Sequence, residues 1–148
     1  MTHTMDQPSS RSIAVTAGVI VRDGRVLVCQ RPPGSRHPGK WEFPGGKLEP
    51  GESLVACMRR ELQEELGIDA EVGRLLWQAG HQYSGGDPIE LMFFLIPRFT
   101  GVVSNREFAA IEWITVAALS QVDFLEGDRE FVAALASGRV DLGPHQET

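Results

Sequence analysis

Three glutamates crowd into one helical turn near the middle of the chain. Glu61, Glu64 and Glu65 follow Arg60 in a segment whose apolar residues recur at helical spacing. Carboxylates three and four residues apart share one face of a helix, where like charges repel one another. An ordinary surface helix gains nothing from this arrangement, whereas a site that binds divalent cations through oxygen ligands requires it. The alternative is a solvated acidic helix held by ion pairs such as Arg60 with Glu64.

The helical wheel places two of these carboxylates beside the apolar stripe rather than opposite it. At about 100° per residue, Glu65 falls inside the stripe and Glu61 at its edge, with Glu64 further out. The stripe is formed by Leu54, Val55, Met58, Leu62 and Leu66. An unpaired buried carboxylate is costly, and a bound metal ion removes that cost. The position of the charges therefore favours a metal site.

The residues on either side of this helix favour the same interpretation. A segment with two adjacent glycines, 41–47 (WEFPGGK), precedes it, and glycine permits backbone conformations closed to other residues. Glu52 and Ser53 supply acceptors for the helix N-terminus, and Gly67 ends the helix as a C-cap does. Loop, helix and cap are predicted to form one compact unit whose acidic face lies near its C-terminal end.

Taken together, these residues resemble the complete Nudix box. Every defining position matches, and the matching positions are Gly46, Glu52, Arg60-Glu61-Leu62, Glu64-Glu65 and Gly67-Ile68. The resemblance implies a hydrolase of nucleoside diphosphates linked to a further group, which uses magnesium or manganese. It also implies the fold class α/β (α+β), with an α/β/α sandwich around a mixed central sheet.

Similarity outside the box points to one branch of that family. The segments concerned are Gln30-Arg31, 41–47, Glu107, Glu112-Trp113 and a predicted helix after Phe124. They look like the MutT-type branch, which includes the 8-oxo-dGTP diphosphatases and related pyrimidine triphosphate pyrophosphohydrolases. The similarity runs from about Ile13 to Leu135, and it is more specific inside the box than outside it.

The resemblance also implies a set of metal ligands, namely the Gly45 carbonyl and the carboxylates of Glu61, Glu64, Glu65 and Glu107. Glu61 and Glu65 are the strongest ligands on this basis. The general base is left open between Glu61, which we favour, and Glu107. The alternative for Glu107 is an ordinary loop carboxylate.

Further residues are implied to orient the site or to contact phosphate. Arg60 is expected to pair with Glu52 and to orient the catalytic turn without touching substrate, as outer residues of metal sites do. Gly46, the second residue of the glycine pair, and the adjacent Lys47 are candidate substrate contacts. Arg31 could bind phosphate oxygens in a bidentate manner, and its alternative is an ordinary charge at a strand end.

Recognition of the base is assigned to Phe124, Asp128 and Tyr83. Asp128 holds the place where purine-specific members of the branch often carry asparagine. An ionised aspartate only accepts hydrogen bonds, so it favours a base edge rich in N–H groups unless it is protonated. The alternative for Asp128 is a helix cap. For Tyr83 and the neighbouring His81 the alternative is packing or a surface position.

The composition is that of one globular domain. The chain has 148 residues, of which 42% are hydrophobic and 23% charged, and it is long enough to bury a core. A net charge of −6 argues against binding of polymeric nucleic acid. No apolar run approaches the ~18 residues of a membrane span. Cys29 and Cys57 are too few for a disulfide framework, and the polar N-terminus lacks a signal sequence, so we expect a cytoplasmic protein.

The pattern along the chain predicts strands interspersed with two main helices. Strands are predicted at 13–21, 25–31, 75–83, 89–99 and 112–115. Asp23-Gly24 is a strong hairpin signal. Helices are predicted at 52–66 and 128–136. A single domain is predicted at 13–140, between a disordered lead-in at 1–12 and a frayed tail at 141–148.

The predicted activity is Mg²⁺-dependent hydrolysis of a nucleoside triphosphate, such as an oxidised deoxynucleotide, to the monophosphate and pyrophosphate. This is the reaction of MutT-like nucleotide-pool sanitation in DNA repair, with Mn²⁺ as the other possible cofactor. Alternative substrates are pyrimidine triphosphates, ADP-ribose and dinucleoside polyphosphates. From other classes, the alternatives are a non-catalytic nucleotide sensor, although sensors usually lose box carboxylates that this chain keeps, and an adaptor. The expected partner is a nucleotide, with no membrane or polymeric nucleic acid, in a monomer or homodimer.

Overall fold

A computed structural model describes residues 12–143 of the chain. In this range the strands are β1 (Ile13–Arg22), β2 (Arg25–Gln30), β3 (Trp41–Glu42), β4 (Gly45–Lys47), β5 (Asp69–Glu71), β6 (Leu75–His81), β7 (Ile89–Ile96), β8 (Arg98–Thr100) and β9 (Ala110–Thr115). The α-helices are α1 (Leu54–Leu66) and α2 (Arg129–Ala136), and short 3₁₀ helices span Val116–Gln121 and Glu126–Asp128.

The central sheet is mixed, as predicted. β1 and β7 run parallel over eight residue pairs from Ile13↔Ile89 to Ile20↔Ile96, and the other pairings are antiparallel. The order is β3-β2-β1-β7-β6, with β9 against β2 and β4 against β1. β4 therefore joins the edge of β1 that β2 leaves open, and it carries the two glycines of segment 41–47 into the sheet.

Alternation along the strands divides the interior into two cores, one on each face of the sheet. On β2, Val26 and Val28 belong to the core beneath α2, whereas Leu27 and Cys29 belong to the core beneath α1. Successive side chains of a strand point to opposite faces, so each central strand contributes to both. The predicted α/β/α sandwich is confirmed.

Helix α1 is fixed at both ends by caps. The Ser53 hydroxyl accepts a hydrogen bond from the Ala56 N–H, and Gly67 takes a left-handed conformation with φ 71°. The helix therefore begins at Leu54, two residues later than predicted, and Ser53 is its N-cap. Val55, which the helical wheel placed in the apolar stripe, is 49% exposed, so the buried stripe is narrower than predicted.

The remaining differences from the predicted elements concern short strands. The hairpin at Asp23-Gly24 is confirmed, since both residues have positive φ and Arg22 pairs with Arg25. The predicted strand 89–99 is interrupted at Pro97 and therefore forms two strands, β7 and β8. β8 pairs with β5. Strands β3, β4 and β5 were not predicted; each is two or three residues long, too short to show alternation.

The predicted terminal segments lie largely outside the described residues. Residues 1–11 and 144–148 are not described. Residues 141–143, assigned to the tail from sequence, contact the body of the protein: Leu142 is 6% exposed and packs in the core beneath α2. The described helices include none with the length and apolarity to cross a membrane.

Four phenylalanines form the centre of the core beneath α2, namely Phe43, Phe93, Phe124 and Phe131. We predict that this cluster dominates stability. Phe131 is fully buried and stacks on Phe93 with ring centroids 4.3 Å apart. Phe131→Ala is expected to lower the free energy of unfolding by about 3–5 kcal/mol, because the cavity adds to the lost apolar burial. Urea unfolding measures this change in the free energy of unfolding. Val102→Ala, at a residue 84% exposed, is the control, and an equal loss in both variants contradicts the assignment.

Candidate active site

The carboxyls of Glu61 and Glu65 lie against the backbone of β4. The Gly45 N–H donates to Glu65 Oε1 at 3.1 Å. A Cβ placed on Gly46 would lie 2.4 Å from the Glu61 carboxyl carbon, so no other residue fits there without moving that side chain. Burial raises the pKa of Glu65, and the charge of Glu61 beside it raises the pKa further. Two carboxyls so close favour a shared proton or a cation between them.

Arg60 is the hub that holds the acidic turn in place. Its Nε and one terminal nitrogen donate to the two oxygens of Glu52 at 2.6 and 3.0 Å, and its other terminal nitrogen donates to Glu61 at 3.0 Å. It also donates to the Lys47 carbonyl at 3.2 Å and to Glu64 at 3.4 Å. The hydrogen bonds from Arg60 lower the pKa of Glu52 to about 2. The predicted Arg60–Glu52 pairing is present.

Two further residues, which the sequence reasoning missed, contact the backbone carbonyls of Gly46 and Lys47. The buried Thr16 hydroxyl donates to the Gly46 carbonyl at 3.2 Å. The Cys57 thiol lies 3.5 Å from the Lys47 carbonyl and 3.5 Å from the Thr16 hydroxyl. Neither residue carries a signal in the sequence, since each is one small side chain inside an apolar stretch.

The other two predicted carboxylate ligands are solvent-facing. The Glu64 side chain is 59% exposed. Glu107 is exposed on a loop that is anchored to the C-terminal end of α1 by backbone hydrogen bonds from Ser104 to Leu66 and from Arg106 to Glu65. Within residues 12–143, no group of three or more His, Cys, Asp or Glu side chains stands close enough to enclose a metal ion. The donors nearest to a preformed site are thus Glu61 and Glu65.

This donor set nevertheless suits a hard divalent cation. Oxygen ligands are those preferred by Mg²⁺, which keeps several waters and needs only one or two carboxylates. Burial and the neighbouring Glu61 raise the pKa of Glu65, so its ionised form is favoured only when a cation lies beside it. The residues present therefore fit a magnesium-type ion at Glu61 and Glu65.

Asp128 and Tyr83 line a small cavity of about 100 Å³ on the α2 side of segment 41–47, together with Val15, Thr16, Ala17, Glu42, Phe43, Gly45, Ile89, Leu91 and Leu125. Asp128 is only 4% exposed. Burial raises its pKa, the nearby Glu42 raises it further, and a hydrogen bond from the Phe43 N–H opposes the shift. The side chain of Asp128 makes no capping bond to α2, so the helix-cap alternative is wrong.

Glu42 joins this cavity to Arg31 and was missed from the sequence. Arg31 donates to both oxygens of Glu42 at 3.2–3.3 Å and, through Nε, to the Arg36 carbonyl at 2.6 Å. Burial raises the pKa of Glu42, and Arg31 opposes the shift. A charged residue between the apolar Trp41 and Phe43 was the available signal. Arg31 is therefore more than a strand-end charge, and its guanidinium is already engaged.

Two residues that were predicted to contact substrate do not line the cavity of Asp128. Phe124 is 1% exposed and stacks under Phe43 at 5.2 Å, so it is a core residue and does not line the cavity of Asp128; its aromatic side chain serves packing. The Lys47 side chain is exposed, and only its carbonyl is held by the site. A groove of about 800 Å³ between α1 and the β5–β8 pair contains none of the predicted site residues.

Comparison with known proteins agrees with this geometry. The NUDIX domain family matches residues 12–135. The chain belongs to the Nudix family. The CTP pyrophosphohydrolase of Escherichia coli K12 is 38% identical to this Nudix chain over 130 residues, which are 87% of the chain and 95% of that relative. The putative 8-oxo-dGTP diphosphatase 2 of Mycobacterium tuberculosis is 36% identical over 122 residues, 82% of the chain and 86% of that relative.

A solved structure shares the fold of this Nudix protein. The solution structure of the Escherichia coli ORF135 protein has a TM-score of 0.78 at 37% sequence identity, and covers 87% of this chain and 91% of that one. The protein is thus a MutT-like Nudix hydrolase that acts on phosphoanhydride bonds. Nudix hydrolases act on nucleotide substrates and generally require a divalent metal.

The Arg60–Glu52 pair gives a testable dependence of stability on pH. The pKa of Glu52 is about 2 in the folded state, against an ordinary 4.5. The contribution of the ionised Glu52 carboxylate to the free energy of unfolding is therefore present above pH about 4.5 and is lost as the pH falls towards 2. Glu52→Gln is therefore expected to destabilise the protein near pH 6 and to converge with wild type near pH 2, as measured by urea unfolding.

Arg60→Gln supplies the control for this measurement. In that background the guanidinium is absent while the Glu49 N–H still holds the Glu52 carboxylate, so adding Glu52→Gln is expected to change stability with a much weaker dependence on pH. A difference between wild type and Glu52→Gln that stays constant from pH 6 to pH 2 would rule out the coupling.

Proposed function

We propose that this Nudix hydrolase cleaves a nucleoside triphosphate to the monophosphate and pyrophosphate in a reaction that requires Mg²⁺. The observation that carries the proposal is the placement of the Glu61 and Glu65 carboxyls against the Gly45–Gly46 backbone. Such a cluster of acidic oxygens, costly when left bare, suits a cation that bridges the protein to a polyphosphate. Mn²⁺ is the other candidate ion, because it accepts the same oxygen donors.

The proposed ligands are Glu61 and Glu65, with the Gly45 carbonyl and the solvent-facing Glu64 and Glu107 completing the set. When bound, the ion supplies neutralisation of phosphate oxygens and an oriented water. Glu107 is carried by a loop that is hydrogen-bonded to the C-terminal end of α1, which supports its inclusion in the proposed set.

The chain's own residues divide the remaining work. Arg60 fixes Glu61 by a 3.0 Å hydrogen bond and fixes Glu52 by two, so it keeps the carboxylate oxygens in position. Glu61 is our choice for the group that takes the proton from the attacking water, with Glu107 as the alternative. Arg31 and Lys47 are proposed to contact the phosphates, and Gly46 leaves room for the Glu61 carboxyl beside the backbone.

The base is proposed to bind in the cavity of Asp128 and Tyr83. Since burial raises the pKa of Asp128, the neutral acid is favoured, and a neutral carboxylic acid both donates and accepts hydrogen bonds. It can therefore act much as an amide would towards an oxidised guanine, and equally towards cytosine, which presents an amino group. The names of the relatives, CTP pyrophosphohydrolase and 8-oxo-dGTP diphosphatase, support these two candidates.

Loss of the central carboxylates is the first test of this proposal. Glu61→Gln and Glu65→Gln are each expected to lower kcat/KM by about 10²–10³-fold, because each removes a charge that binds the ion. Pyrophosphate release with Mg²⁺ measures the loss, and thermal unfolding checks the fold. Glu71→Gln, an exposed carboxylate paired with Arg98, is the matched control. Nucleotide binding by wild type without turnover would instead identify a sensing module.

The base preference is tested by turnover of CTP, dCTP, dGTP and 8-oxo-dGTP. Asp128→Asn is expected to keep kcat/KM for the preferred triphosphate within about threefold, because the amide also donates and accepts, whereas Asp128→Ala is expected to lose about tenfold or more. If Asn is as poor as Ala, Asp128 acts as an anion. If 8-oxo-dGTP ranks no higher than dGTP, the sanitising role falls and the hydrolase assignment stands.

A further inference from the structure

Tyr83 is held on three sides where it lines the cavity of Asp128. Its hydroxyl accepts a hydrogen bond from the Gly127 N–H at 2.8 Å. Its ring meets that of His81 edge to face with centroids 4.3 Å apart, and that of His37 at 4.7 Å with a tilt of 47°. Aromatic pairs at these separations attract one another beyond their buried area. The ring is therefore a fixed part of the cavity wall.

Gly127 shows how little room the phenol has on its far side. A Cβ at this position would lie 2.7 Å from the Tyr83 hydroxyl and 2.9 Å from Leu91. The hydroxyl therefore cannot retreat past Gly127 without displacing the chain next to Asp128. Only the contact with His37, which comes from a separate loop, can change without disturbing the strand that carries His81 or the turn that carries Gly127.

His37 reaches Tyr83 from the loop 32–40, which connects β2 to β3. Its φ of 55° is uncommon for a residue other than glycine, and the Lys40 N–H donates to its carbonyl at 3.3 Å. The preceding Arg36 donates to the Ser84 carbonyl at 3.3 Å, which ties the loop to the turn after Tyr83. The loop is thus bound to the wall of the cavity by one ring contact and one hydrogen bond.

The same loop is also bound to the residue proposed to contact phosphate. The Arg31 Nε donates to the Arg36 carbonyl at 2.6 Å. The Arg31 carbonyl accepts a hydrogen bond from the Gly39 N–H, near the other end of the loop, at 3.0 Å. Arg36 and His37 are neighbours in sequence. One short segment therefore contacts both the Arg31 side chain and the Tyr83 ring.

We propose that His37 is a positioning residue for base recognition, which acts by holding the Tyr83 ring against the nucleobase of the bound nucleotide. This inference rests on the proposed function, because it assumes that the cavity of Asp128 and Tyr83 takes the base. It assigns to the loop 32–40 a role in affinity for the base end of the substrate, and none in the chemical step at Glu61 and Glu65.

The test is the split between KM and kcat in His37 variants. His37→Ala is expected to raise KM for the preferred triphosphate about two- to tenfold, as loss of one aromatic pair predicts, with kcat unchanged. His37→Phe keeps a ring and is expected to restore KM. Ser84→Ala is the control, because its hydroxyl makes no hydrogen bond to another residue in 12–143. An unchanged KM in His37→Ala, or a ring variant that fails to rescue, would overturn the proposal.

A double-mutant cycle shows whether the effect passes through Tyr83. If it does, adding His37→Ala to Tyr83→Ala raises KM no further; additive effects contradict the proposal. A parallel fall in kcat and in the melting temperature would indicate a merely structural loop residue, and also contradicts it.

Affinity for the monophosphate product separates this inference from the proposed function. CMP and dGMP are titrated calorimetrically into wild type and His37→Ala. If wild type turns over no triphosphate, the proposed function fails, while a weaker monophosphate affinity in His37→Ala still supports the role of His37. If wild type turns over substrate and the affinities are equal, the inference alone fails.

Discussion

The arrangement of the site depends on the contact between an acidic helix and a backbone that has no side chains. Glu61 and Glu65 approach β4 so closely that a single methyl group on Gly46 would occupy the place of a carboxyl. The glycine pair and the glutamates are therefore one structural unit. Arg60 closes it by binding the Lys47 carbonyl as well as Glu52 and Glu61. Repulsion among the carboxylates is countered by this one guanidinium on the protein side.

Segment 41–47 connects this unit of glycines and glutamates to the cavity of Asp128, so the site has two ends. Segment 41–47 runs from β3 to β4 and crosses between the two cores. Its first half places Glu42 and Phe43 beside Asp128 on the α2 side, and its end places Gly46 beside Glu61 on the α1 side. Gly45 lies between them, where it lines the cavity and donates to Glu65. A molecule bound along this segment meets a cavity suited to a neutral ring at one end and acidic oxygens suited to a cation at the other.

What could be predicted from the sequence was what lies close together in the chain. The Nudix box is one contiguous segment, so its caps and its turn follow from local spacing, whereas the Arg60–Glu52 pairing was implied by the resemblance to the family. The errors concern contacts between distant segments. Phe124 was assigned to substrate, yet it packs under Phe43, 81 positions away in sequence. The sequence also allows Asp128 to be a helix cap, because it cannot show the Phe43 N–H that faces this carboxyl. Glu42 and Thr16 were missed for the same reason.

The distribution of charge explains why an acidic protein can bind a polyanion. Glu65, Glu42 and Asp128 are all carboxyls whose pKa is raised by burial, and Arg31 is the counter-ion of Glu42 alone. At the end proposed to bind the base no cation is needed, since the ring is uncharged and the proposed partner, Asp128, is favoured as a neutral acid. At the end proposed to bind the phosphates the protein supplies acidic oxygens and few cations, so the proposal requires metal ions for affinity there. If Arg31 turns from Glu42 towards a phosphate, Glu42 loses its counter-ion and its protonated form is favoured further. Binding at one end of segment 41–47 is then coupled to the charge of the wall at the other.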